Sequence, residues 1–195
     1  MIARDGASSA RMLDIAREAG ITSSGLLHHF GSRHNLLVEA LVQKDERWLV
    51  DLDRFARDHG PAQQMSHAID VLLNPPPAER EAWRRDWSVW FEAWTLALHD
   101  DRVATVCRAQ ERRWTHLFAD MISAGFDSGE FTASSVLPTK AADELMALVD
   151  GLAMRILIPG SMLTHKTASD RAKKAGLRLC GVTVTSSRKA PTKRR

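Results

Sequence analysis

The chain has 195 residues, 44% of them hydrophobic, with six Trp, six Phe and no Tyr, enough for one large helical domain or a small domain joined to a larger one. Its formal net charge of +3 conceals a split, because residues 164–195 carry ten Lys/Arg against one Asp, while residues 1–163 carry seventeen Lys/Arg against twenty-three Asp/Glu. No apolar run approaches the roughly 20 residues of a membrane helix, the start has no signal-peptide core, and Cys107 and Cys180 alone make neither a disulfide framework nor a metal site, so a soluble cytoplasmic protein with no membrane partner is expected.

Nearly everything before residue 165 carries helical periodicity. Met12, Ile15, Ala16 and Ala19 fall on one stripe, predicting a helix over Met12–Ala19 that Ser9 can cap. The pattern breaks at Gly20-Ile21-Thr22 and resumes over Ser23–Phe30, with Thr22 as N-cap. Ser32 caps a much longer third helix. Its apolar positions Leu36, Leu37, Ala40, Leu41, Trp48, Leu49, Leu52 and Phe55 recur at three- and four-residue steps until Gly60-Pro61 stops it. An amphipathic helix over 62–73 ends at "NPPP", and a Trp-rich helix over 78–98 follows. Residues 101–124 form the next helix, ended by Gly125, and "FDSGEFTASSVLP" reads as loop. An apolar helix over 140–158 ends at Pro159-Gly160. Beyond it the periodicity decays to a weak helix over Arg171–Leu179 and a loose basic tail, either a solvated end or a region of nonspecific attraction to nucleic acid. There is no internal repeat and no β segment, which predicts an all-α fold.

Two helices joined by a short turn containing Gly form a helix-turn-helix. Gly20 follows the last turn of the first helix, where a left-handed conformation is needed. Ile21, apolar inside the turn, is expected to be buried between the helices. Leu26 and Phe30, one turn apart, complete a miniature core with Ile15, Ala16 and Ala19. Ser23, Ser24, Leu27 and His28 then point outward, and Gly25 keeps the surface low. Such a face fits the DNA major groove, about 12 Å wide. Serine hydroxyls can donate or accept there, Leu27 can touch a thymine methyl, and His28 and His29 can donate to bases or phosphates. Arg33, at the start of the next helix, can pair with a phosphate. The plainer reading is a helical hairpin whose surface contacts nothing. A His28/His29 metal site does not follow, because helical neighbours point about 100° apart and no third ligand lies nearby.

Residues 14–37, "DIAREAGITSSGLLHHFGSRHNLL", closely resemble the DNA-binding signature of the tetracycline-repressor (TetR) family of bacterial transcription regulators. The matching residues are Asp14-Ile15-Ala16, Ala19-Gly20-Ile21-Thr22, Leu26, His28-His29 before Phe30, Ser32-Arg33 and Leu36-Leu37. "WSVWFEAWTLALHDDRVATV" and "LMALVDGLAMRILI" are similar to that family's ligand-binding and dimerisation helices, so the resemblance spans roughly residues 2–160. It implies a DNA-binding domain over 1–45 and a helical ligand-binding and dimerisation body over 46–163, leaving 164–195 as weak helix and tail. By position it assigns operator contacts to Thr22, Ser23, Ser24, Gly25, Leu27, His28, His29 and Arg33, with Arg11 meeting the DNA backbone. This chain departs from the family at Leu27, where an aromatic, often Tyr, is usual, at Arg33, where Lys is usual, and at Ala7, where an aromatic is expected. The family also places a full helix before this unit, and "MIARDG" corresponds only to its last turn. The chain as given is therefore expected to bind DNA weakly or not at all unless extended.

Trp83, Trp87, Trp90, Phe91 and Trp94 cover one broad helix face, and Trp114 and Phe118 repeat the pattern on the next helix. Such aromatics form a core or line a cavity between helices. The resemblance implies a ligand pocket, with Trp90, Trp94, Trp114, Phe118 and Met121 as candidates for its lining. On the late apolar helix, Leu145, Leu148, Val149, Leu152, Met154 and Ile156 go most of the way round, and Gly151 would admit a close partner. In the family this helix and the next pair with their copies in a second subunit. Here the last helix lacks a leucine run, so a reduced interface is expected. The implied function is a ligand-responsive transcriptional regulator, by family habit a repressor, binding double-stranded operator DNA as a homodimer under control of an unidentified small-molecule effector and without a cofactor. The alternative is a helical dimer that binds a small molecule or protein and has lost DNA readout. Cys107 with His99 has no orienting third group, so no enzyme is expected.

Overall fold

A computed structural model describes residues 12–132 and 136–182, apart from the side chains at 34, 37, 40, 41 and 43–47. Within them the chain forms eight α-helices and no strand. The head consists of α1 (Met12–Ala19), α2 (Ser23–Phe30) and the start of α3 (Arg33–Ala56). The body adds α4 (Pro61–Leu73), a 3-10 turn at Pro77–Glu79, α5 (Arg80–Ala97), α6 (Asp101–Ser128), α7 (Pro138–Leu157) and α8 (His165–Leu179). Among the described residues no helix is long and apolar enough to cross a membrane.

The two head helices have the predicted bounds, and the caps explain why. Gly20 takes φ 69°, cheap only for glycine, and turns the chain out of α1. Thr22 starts α2 by accepting from the Gly25 N–H at 3.0 Å. Ser32 starts α3 by accepting from the Asn35 N–H at 3.1 Å, while the Asn35 amide donates back to the Phe30 carbonyl at 2.8 Å. Ala16, Leu26 and Leu36 form the small core, with Met12, Ile15 and Phe30 packed against it. Two expectations fail here. Ile21 is 50% exposed, its backbone rather than its side chain being engaged, and Ala19 is exposed as well.

The body core is built by α4, α6, α7 and α8 around Ile69, Leu73, Phe118, Ile122, Leu145 and Val149, all fully buried. On α5, Trp83 and Trp87 both donate their indole N–H to the Leu72 carbonyl, at 2.7 and 3.1 Å. This carbonyl lies in the last turn of α4, where no intrahelical donor remains. The long helix α3 is held at its far end by stacking of Phe55 between the rings of His59 and His67, with centroids 3.7 and 4.0 Å away.

Several helix ends differ from expectation. Gly125 does not end α6, which runs on to Ser128 and stops at Gly129. Its lack of a side chain serves packing instead: a Cβ there would lie 2.1 Å from the Phe131 ring. Proline starts α7 at Pro138, where a missing N–H costs nothing. The last helix is longer than its sequence suggests, beginning at His165 under a Thr164 cap. Its inward stripe is Ala168, Ser169, Ala172 and Gly176, small enough to bring α8 close to α4 and α7. Ser169 and Lys173 both donate to the Asp70 carboxylate, the former at 2.7 Å. Burial opposes that charge, but the hydrogen bonds from Lys173 and Ser169 hold the Asp70 pKa below the usual carboxylate value. So α8 belongs to the body core rather than to a separate tail. The basic residues beyond Val182 lie outside the described part.

Gly125→Ala is expected to lower stability by about 1–3 kcal/mol, because overpacking against Phe131 outweighs the helix-propensity gain of about 1 kcal/mol. An unchanged midpoint in urea unfolding would contradict the packing role.

Candidate functional site

The head presents a low, polar surface along α2. Thr22, Ser24, Gly25, Leu27, His28 and His29 are exposed, and Arg33 is half-buried at the start of α3. Leu26 is 2% exposed and faces the head core, so the inward and outward sides are those that helical spacing implies. His29, which spacing alone does not place, also lies on the exposed side. Two details narrow the face. The Thr22 hydroxyl oxygen is engaged as the cap of α2. The Ser23 hydroxyl is buried and has no hydrogen-bond partner among the described residues, so it does not point outward as expected. Arg11 lies outside the described residues.

The second feature is an open cavity of about 370 Å³ between α5, α6 and α7, which Leu72 of α4 also lines. Trp87, Trp90 and Trp94 enter it from α5 at steps of three and four, and Gln110, Glu111, Trp114 and Thr115 from α6. Asp143, Met146, Ala147 and Asp150 line it from α7. Three of the five sequence candidates, Trp90, Trp94 and Trp114, stand in this wall. Phe118 and Met121 do not. One turn or more further along α6 they pack into the body core, with exposures of 0% and 6%. Helical spacing does not single out Trp87, Gln110, Glu111, Thr115 or the α7 residues as lining. Their one signal in the sequence is Asp150, an acid inside the apolar run "LMALVDGLAM".

This wall combines aromatic rings with carboxylates. Burial drives the Asp150 pKa up to about 7, and the nearby Glu111 carboxylate pushes in the same direction. Asp150 thus sits near half-ionisation at neutral pH, in a place where a bound cation would favour the charged form. Trp114 also reaches α3: its ring meets that of Trp48 edge-on, with centroids 6.1 Å apart.

The helix α7 shows three faces. Leu145, Val149, Leu152 and Ile156 are buried in the subunit's own core, so four of the seven residues predicted for a dimer contact are unavailable to a partner. Asp143, Met146, Ala147 and Asp150 turn to the cavity. The remaining face carries half-buried Leu148, exposed Gly151, where an added Cβ would meet nothing within 4 Å, and Met154 at 44% exposure, followed by Ile158 just past the helix end at 55%. A helix apolar nearly all round suggests a partner on its outside. In the fold, most of that apolar surface is covered inside one subunit.

Comparison with known proteins matches both parts of the molecule. Residues 1–40 fit the family model of bacterial regulatory proteins of the tetR family, and residues 61–180 fit that of the C-terminal domain of BetI-type transcriptional repressors. Among curated relatives, the HTH-type transcriptional regulator BetI of Stenotrophomonas maltophilia is 27% identical over 167 residues, covering 83% of this chain and 79% of its own length. The regulator PksA of Bacillus subtilis is 26% identical over 161 residues, covering 81% and 74%. Among solved structures, a TetR-family regulator from Rhodococcus superposes with a TM-score of 0.76 at 22% identity, covering 92% of both chains. A regulator from Saccharomonospora viridis, solved in complex with choline, also gives 0.76 at 24% identity, covering 89% of this chain and 88% of that one. With helix-turn-helix head and helical body both matched, the chain belongs to the TetR family of bacterial transcription regulators and carries a BetI-type C-terminal domain.

Proposed function

We propose that this regulator is a homodimeric repressor that leaves its operator when a small organic cation of the quaternary-ammonium type occupies the tryptophan cavity. The observation that carries this reading is the composition of the wall: Trp87, Trp90, Trp94 and Trp114 together with Glu111, Asp143 and Asp150. A cation over a tryptophan face gains about 0.5–1 kcal/mol when exposed and about 2 kcal/mol when desolvated, and aromatic cages are a recurrent solution for quaternary ammonium groups. An anionic ligand would meet three carboxylates instead. That the regulator from Saccharomonospora viridis was solved with choline points the same way.

On the DNA side, Ser24, Gly25, Leu27, His28 and His29 are assigned to the major groove and Arg33 to a phosphate, with the Thr22 hydroxyl capping the helix and the Ser23 hydroxyl turned inward. Two heads must reach successive major grooves about 34–36 Å apart, which requires a dimer. The open face of α7, with Leu148, Gly151 and Met154, and Ile158 just past its end, is assigned to that contact. The effector acts through a difference in affinity between two arrangements of the body. The contact from Trp114 to Trp48 is the route by which occupation of the cavity biases α3 and the separation of the heads.

The direct test is fluorescence anisotropy of the purified protein on DNA from upstream of its own gene, with choline as the probe. Salt-dependent binding with a steep log–log slope, reversed by choline, is expected; binding that choline leaves untouched would refute the effector assignment. Trp48→Leu is expected to keep choline affinity within about threefold while choline no longer releases the DNA. Release as efficient as in the parent protein would remove Trp48 from the route.

The cavity also carries a pH dependence. The raised Asp150 pKa means that the folded protein holds this proton between about pH 4 and 7, where the unfolded chain has lost it. Stability from this group is therefore full below about pH 4 and declines as pH rises towards 7. A bound cation reverses the preference, so binding expels the proton and choline affinity rises between pH 6 and 8. Titration calorimetry across that range checks this, with Asp150→Asn expected to be weaker at pH 8 and flat with pH.

A further inference from the structure

The exposed surface of α2 ends at a two-residue corner, Gly31-Ser32, before α3 begins. Gly31 turns there at φ 71° and has no side chain to hold the angle between the two helices. Asn35, half-buried in the first turn of α3, closes this corner twice. Its backbone N–H donates to the Ser32 hydroxyl at 3.1 Å, and its side-chain amide donates to the Phe30 carbonyl at 2.8 Å. Only the NH2 end of a carboxamide can serve a carbonyl oxygen, which fixes the orientation of the amide. The Phe30 oxygen belongs to the last turn of α2, where the helix itself supplies no donor. A Glu or Gln at the third position of a helix often reaches back to the backbone N–H of the capping residue. Asn35 reaches past that residue, from the start of one helix to the end of another. The bond encloses Gly31, Ser32, Arg33 and His34. His28 and His29 sit in the last turn of α2 and move with the Phe30 carbonyl, while Arg33 lies inside the enclosed loop.

We propose that Asn35 is a positioning residue for operator reading: through the Phe30 carbonyl, and not by contact with DNA, it holds α2 at the angle at which His28 and His29 meet base edges while Arg33 meets a phosphate. This rests on the assignment of α2 to the major groove. Phosphate contacts fix the register of a protein on DNA, and base contacts carry the sequence information. The Asn35 bond ties one kind of contact to the other, because it spans the loop that holds Arg33 and ends on the turn that holds the histidines. Hydrogen bonds to base edges weaken steeply once distance and angle leave their narrow range. A long, flexible arginine follows a phosphate over a wider range than a ring in the last turn of a short helix follows a base. Freeing the corner therefore removes the preference for one sequence and leaves the general attraction to DNA in place. Asn35 carries no charge, so its loss leaves the electrostatic part of binding unchanged.

The test measures the full chain by fluorescence anisotropy on two duplexes, one from upstream of its own gene and a scrambled one of the same length and composition. Asn35→Ala removes the donor, changes no charge and favours the helix. Asn35→Asp keeps the shape, cannot donate when ionised, and suits the start of α3 through the helix dipole, so it folds even if the alanine variant does not. Its added charge weakens both duplexes alike, so each variant is read as the ratio of the two affinities. The ratio is expected to fall about tenfold in both variants, the worth of one base contact. Asn35→Ala is expected to keep its affinity for the scrambled duplex within about twofold and its thermal midpoint within about 4 °C. A ratio within about twofold of the parent's in both variants overturns the positioning role and leaves the DNA reading standing. Equal loss on both duplexes in Asn35→Ala also overturns it, as a residue that merely stabilises the head would act that way. A parent protein that prefers neither duplex overturns this inference together with the DNA reading of α2.

Discussion

The cavity depends on one backbone carbonyl. Leu72 ends α4 with an oxygen that the helix itself does not satisfy, and two indole N–H groups one turn apart on α5 converge on it. This fixes the rotation of α5 about its own axis. With Trp83 and Trp87 held by their nitrogens, Trp90 and Trp94 follow at steps of three and four and turn towards α6 and α7. The same region is tied from the other side. His165, at the start of α8, meets the Leu73 carbonyl through Nδ1 at 2.8 Å and packs edge-on against Trp83. Burial holds the His165 pKa below its usual value, which favours the neutral ring in that contact.

Around this frame α7 divides its surface among three tasks. One stripe closes the subunit core, a second supplies Asp143, Met146, Ala147 and Asp150 to the cavity, and a third remains open with Gly151 at its centre. The division leaves one helix in contact with the core and the cavity while a further strip of it stays uncovered. The short side chains of α8 have a related purpose. Ala168, Ala172 and Gly176 let it lie close on the core, while the paired Asp70 and Lys173 keep their charges hydrogen-bonded at its edge.

The head is stabilised differently from the body. Among the described residues its core holds Ala16, Leu26 and Leu36 with flanking Met12, Ile15 and Phe30, and caps at Thr22 and Ser32 and the Asn35 amide order its turns. A small domain ordered by local hydrogen bonds can follow the long helix that carries it. That suits a reader whose spacing is set from elsewhere. The stack of Phe55 between His59 and His67 pins the far end of α3 to the body. Trp48 lies between the pin and the head, with its ring against Trp114 of the cavity wall.

Local features are legible in the chain alone. The break at Gly20, the caps at Thr22 and Ser32, the helical class and the inward placing of Leu26 all follow from interactions within a few residues, where spacing and side-chain chemistry govern the outcome. The same holds for the resemblance of residues 14–37 to the TetR signature, since those motifs are contiguous. Whatever needs a partner from a distant segment is settled only in the folded molecule. Gly125 resembles a helix end but is the space filled by Phe131, and α8 looks weak alone because its partners are α4 and α7. Ile21 and Ala19 are apolar yet exposed, as periodicity cannot say whether another element covers a face. Phe118 and Met121 share the helical pattern of the cavity tryptophans but point into the core, and Gln110 and Asp150 become distinctive only when three helices enclose them. Burial, orphaned polar atoms and shifted pKa values are properties of an enclosure, and no single helix encloses anything.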